Sequence, residues 1–308
     1  MMPPASPLRS HKPQMEWLTS MVNPNVTSEY DTLRCVAMRY AGDFTRKLDG
    51  PGVHPILARQ QTTSMWAEYS AAKVRAQQEA LITVLRARGT EVILLPQAPG
   101  CSAQHYPRDI GFVIDNVLFL ARLNSAHRLP EANALAELAA GMPRVEHLTM
   151  GSIEGGDVML HDRCVLVGLS EETSLEGAEA LQAALGRHQI NREVVPVTFA
   201  SSGIVHLDDH FNIIAPGTAL IHRSAFTPHQ ARWFEKRFDL IDVTDEEALH
   251  VHVNVLALAP GVVVVAAGSS RITGQITARG IDVLTVDYSE VTRIPGSLRC
   301  TTLPLRRI

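Results

Sequence analysis

Pro260-Gly-Val-Val-Val-Val-Ala-Ala-Gly268, followed by Gly280-Ile-Asp-Val-Leu-Thr-Val286, is the stretch that decides how this chain folds. A turn pair opens an apolar run of strand length. Gly280 stands where a helix C-cap belongs, and a second apolar run follows it. The unit therefore reads strand, helix, strand. It recurs in shape rather than in identity, with first strands at Arg34–Arg39 (RCVAMR), Val117–Leu123 (VLFLARL), Cys164–Ser170 (CVLVGLS) and Thr218–Arg223 (TALIHR). Helical stretches are expected at Met65–Arg88, where Trp66, Tyr69, Val74, Leu81 and Leu85 keep near a 3.6-residue period, and at Leu175–Leu185 and Gln230–Arg237. Gly89 and Gly186 are read as further C-caps. The returning strands are Glu91–Leu95, Arg144–Met150, Glu193–Phe199 and Leu240–Thr244.

Five such units in 308 residues imply a closed ring, an α/β fold built as a five-bladed, pseudo-fivefold propeller. A doubly wound sheet is the competitor, but no Gly-rich phosphate loop follows any strand. Residues 1–28 are expected to be a flexible N-terminal segment and 29–308 one catalytic domain.

Composition narrows the function. Charged residues make up 19% and the hydrophobic class 45%, enough for a sizeable core. The formal net charge of −4 gives no reason to bind nucleic acid or an anionic membrane. Met1 to Glu16 has no apolar h-region, so no secretory signal is expected, and no apolar run reaches the roughly 18 residues of a spanning helix. Cys35, Cys101, Cys164 and Cys300 lack C-x-x-C spacing, which argues against a disulfide scaffold and against zinc. A cytoplasmic, reducing location is expected.

Each unit is followed by polar residues: Arg108-Asp109, Glu154, His206 with Asp208, Asn254 and Cys300. Successive spacings along Asp109, Glu154, His206, Asn254 and Cys300 are 45, 52, 48 and 46. A lone cysteine near a C-terminus is ordinarily a small buried hydrophobe. An isolated His-x-Asp is ordinarily surface or core satisfaction. Even spacing changes the reading, because equivalent positions in a fivefold ring converge on its axis. The other cysteines are read as packing, and His105, His210, His222 and His252 as structural or solvent-exposed.

The converging set suits attack on a planar amidino carbon. Such a carbon requires a thiolate, and a thiol is only a few per cent ionised near neutrality, so the site must assist Cys300. His206, with an ordinary pKa of about 6.5, is the natural proton shuttle. Glu154 would hold its tautomer. Asp109 and Asp208 suit the paired N–H donors of a guanidinium, whose charge would offset theirs. Gly155 and Gly156 would let the backbone come close to the site.

Tyr106-Pro-Arg-Asp109, Glu154-Gly-Gly-Asp157, His206-Leu-Asp208 and Leu298-Arg-Cys-Thr-Thr302 resemble the signatures of the pentein superfamily. The resemblance is to its branch of arginine deiminases, amidinotransferases and dimethylarginine dimethylaminohydrolases, and runs from about Glu29 to Leu305. It implies a five-bladed α/β propeller, no metal, no organic cofactor and a covalent amidino–cysteine intermediate. It also implies Cys300 as nucleophile, His206 as acid/base, Glu154 as its partner, and Asp109 and Asp208 as guanidinium ligands. Arg108, Arg122, Asn254 and Glu172 complete the expected substrate-contacting set.

Asp208 resembles deiminases and amidinotransferases, whereas the compact length resembles the dimethylaminohydrolases. Two departures bear on the substrate. Relatives acting on arginine-like amino acids often read G-L-S-x-R-T-N, with the Arg on the substrate carboxylate. Here Gly168-Leu-Ser-Glu-Glu-Thr-Ser174 puts Glu172 at that place. Ile294-Pro-Gly-Ser297 stands where relatives usually have a run of Gly. The stretch Arg122 to Arg128 remains a source of a carboxylate-binding Arg.

The expected activity is hydrolysis of a guanidino compound, arginine-like or decarboxylated, with an amidinotransferase as the alternative. A non-catalytic propeller that binds cations is a third class, disfavoured by retention of all five polar positions. The expected partner is a small guanidino substrate, and a homo-oligomer is left open.

Overall fold

The computed structural model describes residues 22–42 and 69–308. The first blade contains β1 (Leu33–Met38), α1 (Ala71–Ala87) and β2 (Glu91–Leu94). The second has β3 (Gly111–Ile114), β4 (Val117–Leu120), α2 (Leu129–Ala139) and β5 (Val145–His147). The third has β6 (Val158–His161), β7 (Cys164–Gly168), α3 (Leu175–Arg187) and β8 (Glu193–Val197). The fourth has β9 (Phe211–Ala215), β10 (Thr218–Ile221), α4 (Pro228–Glu235) and β11 (Asp239–Asp242), with a short α5 (Asp245–Leu249) after it. The fifth has β12 (Leu256–Ala259), β13 (Val262–Ala266), α6 (Ser270–Thr277) and β14 (Asp282–Val286). The last strand, β15 (Leu303–Arg307), pairs antiparallel with β1 and closes the ring by completing the first blade.

Every blade is one three-stranded sheet with the same wiring. An inner strand pairs antiparallel with a central strand, and a helix returns the chain to an outer strand parallel to the central one. The hairpins turn on Asp115, Asp162, Gly217 and Gly261, at φ between 49° and 77°, where Asp and Gly tolerate the left-handed region best. The inner strands are buried almost throughout, and the outer strands are half exposed. Around the axis β15 touches β3, β6 touches β9, and β9 touches β12.

The hydrophobic core lies between blades. Val74, Leu81, Ile82 and Leu85 of α1 join Val36 and Met38 of β1 and Val264 of β13 in one cluster, which also contains Cys300. Each such aliphatic side chain contributes about 1.5–3 kcal/mol on burial. Ser70 caps α1 by accepting from the Lys73 N–H, and Gly89 ends it at φ 78°.

The expected first and second strands all form. The five inner strands and α2 were not separately read from the sequence. Gly186 lies inside α3 rather than beyond it, and Gln189, at φ 59°, takes the left-handed position. Residues 1–21 and 43–68, with Trp66 and the start of the expected first helix, lie outside the described residues. Within residues 22–28, Val22 and Val26 are buried, Asn25 bridges Arg306, and Val26 bridges Asp115.

Asp109, Glu154, His206, Asn254 and Cys300 each lie in the connection from one blade's outer strand to the next blade's inner strand, just ahead of the inner strand. Because inner strands meet around the axis, these five connections meet as well.

Candidate active site

Cys300 is buried at 3% exposure, three residues before β15. Asn254 holds it from the fifth blade: its Nδ2 donates to Sγ at 3.0 Å, and its Oδ1 accepts from the Cys300 and Arg299 N–H groups at 3.1 and 2.9 Å. Asn254, expected to contact substrate, therefore contacts the thiol and its backbone. The Asp208 oxygens lie 3.9 and 4.0 Å from Sγ. Burial raises the Cys300 pKa well above its ordinary value, and Asp208, Asp209 and Asp109 raise it further.

Asp208 is anchored by Arg299, whose Nε donates to it at 3.2 Å, while Nη1 of Arg299 pairs with Glu29. Arg108, expected at the substrate, turns into this lower layer and does not line the cavity. Its Nε reaches the Arg299 carbonyl at 3.4 Å. Burial and the charge of Arg299 push Arg108 down to about 9, with Glu29 and Asp208 opposing.

The second layer is built around His206. Its Nε2 meets Glu154 Oε2 at 3.1 Å, and its Nδ1 lies 3.7 Å from Asp109 Oδ1. Burial lowers the imidazole pKa, but Asp109, Glu154 and Asp157 outweigh it and hold His206 well above its usual range. The glycines ahead of β6 are required by contact. A Cβ on Gly155 would sit 2.1 Å from the Arg108 carbonyl oxygen, and one on Gly156 would sit 2.6 Å from His206 Cγ. Asp157 accepts from the Leu207 N–H at 2.9 Å and from the Ser170 hydroxyl at 2.6 Å, which fixes the His206 loop to the third blade.

Arg128 is the arginine of the Arg122 to Arg128 stretch that turns inward. Its Nη1 donates to Asp109 Oδ2 at 2.9 Å and to Glu154 Oε2 at 3.4 Å, and its Nη2 donates to Glu131 Oε2 at 2.8 Å. Arg122, expected at the substrate, is exposed. Its segment pairs with Ile153, and its guanidinium donates to the Gly151 carbonyl. One oxygen each of Asp109 (Oδ1) and Glu154 (Oε1) is buried with no hydrogen-bond partner among the described residues.

A narrow cavity of about 40 Å3 brings the layers together, lined by Asp109, Arg128, Glu172, His206, Asp209 and Cys300, with Tyr106, Ile294 and Pro295 on its apolar side. Glu172 is thus placed among these residues, 4% exposed. Asp208 is adjacent to the thiol without lining the cavity. A wider cleft of about 450 Å3, between α5 and the end of the fifth blade, shares none of these residues.

Sequence reasoning missed Arg299, Glu29, Glu131 and Asp209. Arg299 stood in the quoted Leu-Arg-Cys-Thr-Thr motif, and Glu131 stood three residues after Arg128. Asp109, Glu154 and His206 are also close enough to hold a cation together, as are His206, Asp208 and Asp209. Among the described residues, no helix is long and apolar enough to cross a membrane.

The site can be set against known proteins. The family model for "N,N dimethylarginine dimethylhydrolase, eukaryotic" matches residues 56–307. The chain is 35% identical to YkgA of Bacillus subtilis over 75% of this chain and 79% of that one. It is 26% identical to the N(G),N(G)-dimethylarginine dimethylaminohydrolase of Pseudomonas aeruginosa, covering 79% of this chain and 92% of that one. Its fold is similar to that of SxtG, an amidinotransferase of the saxitoxin biosynthetic pathway from Microseira wollei. The TM-score is 0.74 at 18% identity, over 92% of this chain and 97% of that one. By these matches the chain belongs to the pentein superfamily, in its guanidino-modifying branch of dimethylarginine dimethylaminohydrolases, arginine deiminases and amidinotransferases.

Proposed function

We propose that the protein is a cysteine-dependent hydrolase of a guanidino compound whose tail lacks an α-carboxylate. As the cationic head binds, the Cys300 thiol gives up its proton to solvent, and the thiolate attacks the central amidino carbon and forms the C–S bond. His206 gives a proton to the departing amine as the C–N bond breaks. His206 then takes a proton from water, which attacks the same carbon. The remaining hydroxyl proton passes to the sulfur as the C–S bond breaks, and the oxygen of water stays on the product as its carbonyl. Asp109, Asp208 and Asp209 supply the negative environment for the cationic head. The cationic substrate lowers the pKa of Cys300 as it binds, offsetting the carboxylates around the thiol.

The observation that carries the choice of tail is Glu172. It is buried on the wall of the cavity that holds Cys300, His206 and Asp109. An incoming carboxylate would meet an anion there, and a repulsive element of this kind sets specificity. Arg128, the only arginine on that wall among the described residues, already faces three carboxylates. Agmatine-like guanidines, which carry no carboxylate, meet neither obstacle.

The test compares kcat/KM for arginine and agmatine in the wild type and in Glu172→Arg. Agmatine should win in the wild type, and the substitution should move the preference toward arginine. A wild-type preference for arginine of tenfold or more, about 1.4 kcal/mol, refutes the reading. Passage of the amidino group to an added amine, in place of hydrolysis, would make the enzyme an amidinotransferase.

A further inference from the structure

We propose that Glu131 is a specificity-determining residue: it commits Arg128 to positioning Asp109 and Glu154, and so keeps that arginine from receiving an anionic substrate tail. The inference rests on the reading of the cavity as a guanidine site. It concerns what makes the arginine of the cavity wall unavailable.

The geometry is specific. A carboxylate binds a guanidinium best through two parallel N–H bonds along one edge. Glu131 occupies the edge formed by Nε and Nη2 of Arg128, with Nε at 3.2 Å and Nη2 at 2.8 Å from the same Oε2. Nη1 is spent on Asp109 and Glu154. A substrate carboxylate would have to displace one of these carboxylates.

Glu131 is itself fixed. It is 0% exposed, in the first turn of α2 and three residues from Arg128, the spacing at which helical side chains meet. Arg39, also 0% exposed, donates to its backbone carbonyl at 2.8 Å.

The arrangement has a purpose at the head of the substrate. Arg128 holds Asp109 by Oδ2, and Oδ1, which lies 3.7 Å from His206 Nδ1, has no hydrogen-bond partner among the described residues. Glu154 is held in the same way: Oε2 accepts from Arg128 and meets His206, and Oε1 has no hydrogen-bond partner among the described residues. A buried carboxylate oxygen without a partner is costly and favours a cationic donor. Arg128 thus acts through Asp109 and Glu154, and Glu131 keeps it there.

Binding of arginine and of agmatine, which differ by the α-carboxylate alone, tests this by calorimetry in Cys300→Ser protein with and without Glu131→Gln. A purely structural role would weaken both ligands together and leave their ratio unchanged. The expected result is a fall in the arginine-to-agmatine Kd ratio of about tenfold or more. An unchanged ratio in a folded variant overturns the proposal. Glu131→Gln strands part of the Arg128 charge, so Arg128→Met with Glu131→Met is the second variant. It removes the pair and should weaken agmatine without a selective loss of arginine. A selective arginine loss of about tenfold would show that Arg128 already receives the carboxylate, and would overturn the proposal. Binding of neither guanidine to the parent protein would reject the functional reading itself, an outcome distinct from binding with an unchanged ratio.

Discussion

Cys300 sits in a field of negative charge, and that field should make its alkylation depend on the charge of the reagent. Its pKa is raised first by burial and then by Asp208, Asp209 and Asp109. The nearest carboxylate, Asp208, lies 3.9 and 4.0 Å from the sulfur. Two unit charges about 4 Å apart interact by about 4 kcal/mol at an effective dielectric constant of ~20. Arg299, at 3.2 Å from the same carboxylate, cancels much of it. What remains is on the order of 1.4 kcal/mol, a factor of about ten in rate. A cation seated against these carboxylates acts with the opposite sign. Chloroacetamidinium and neutral chloroacetamide are nearly isosteric reagents that differ in charge. With each rate normalised to that of a small free thiol, the cation should modify Cys300 about tenfold faster or more at pH 7. Asp208→Asn should speed the neutral reagent and narrow the gap. Intact mass with peptide mapping separates Cys300 from Cys35 and Cys101, which burial foremost raises to about 12 and about 11. Equal normalised rates, or a Cys300 already fully ionised below pH 7 in the free protein, would refute the reasoning.

Cys300→Ser should abolish turnover with an unchanged circular dichroism spectrum, because a hydroxyl of the same shape lacks the thiolate's nucleophilicity; retained activity would end the cysteine mechanism. Glu154→Gln should lower kcat on the order of 10²-fold. It should also move the alkaline limb of the kcat profile to lower pH, since the raised His206 pKa depends partly on Glu154; an unmoved limb would detach the limb from His206. Chelator should leave turnover unchanged, although Asp109, Glu154 and His206 lie close enough to share a cation. Loss in chelator, restored by one metal, would replace thiolate attack with metal-activated water.

The repeating unit was legible because its central and outer strands are apolar runs set off by turns. The inner strands were not, because Gly111–Ile114 and its equivalents follow directly on the polar connections and turn into the central strands through short hairpins. Closure by β15 is a pairing of the two ends of the described chain, which local pattern cannot reveal. The convergence of Asp109, Glu154, His206, Asn254 and Cys300 followed from spacing alone. Which way each side chain faces did not. Asn254 turned to the thiol and Arg108 to the Arg299 carbonyl, contacts that spacing does not encode. Between Arg122 and Arg128 the deciding feature is local. Arg122 lies on a segment bridged to Ile153, while Arg128 stands three residues before Glu131. That Arg-x-x-Glu spacing was visible in the sequence as the signal of an anchored arginine.

Burying this many charges is tolerable only where each has a partner or a use. Arg299 with Glu29 and Asp208, and Arg128 with Glu131 and Asp109, are partnered. Asp209 accepts from the Asn254 amide at 3.4 Å and lines the cavity, and burial foremost, with Asp208 next, raises its pKa from 3.8 to about 8. Folding therefore retains a proton there that the unfolded chain gives up near pH 4. The sign follows from linkage: this group's contribution to stability is present below about pH 4 and declines as pH rises toward about 8. A bound cation opposes the shift, since it favours the ionised carboxylate. If the proposed function holds, uptake of a guanidinium near neutral pH should release a proton from the cavity wall. On that reading the cation exchanges for a proton rather than adding to the charge.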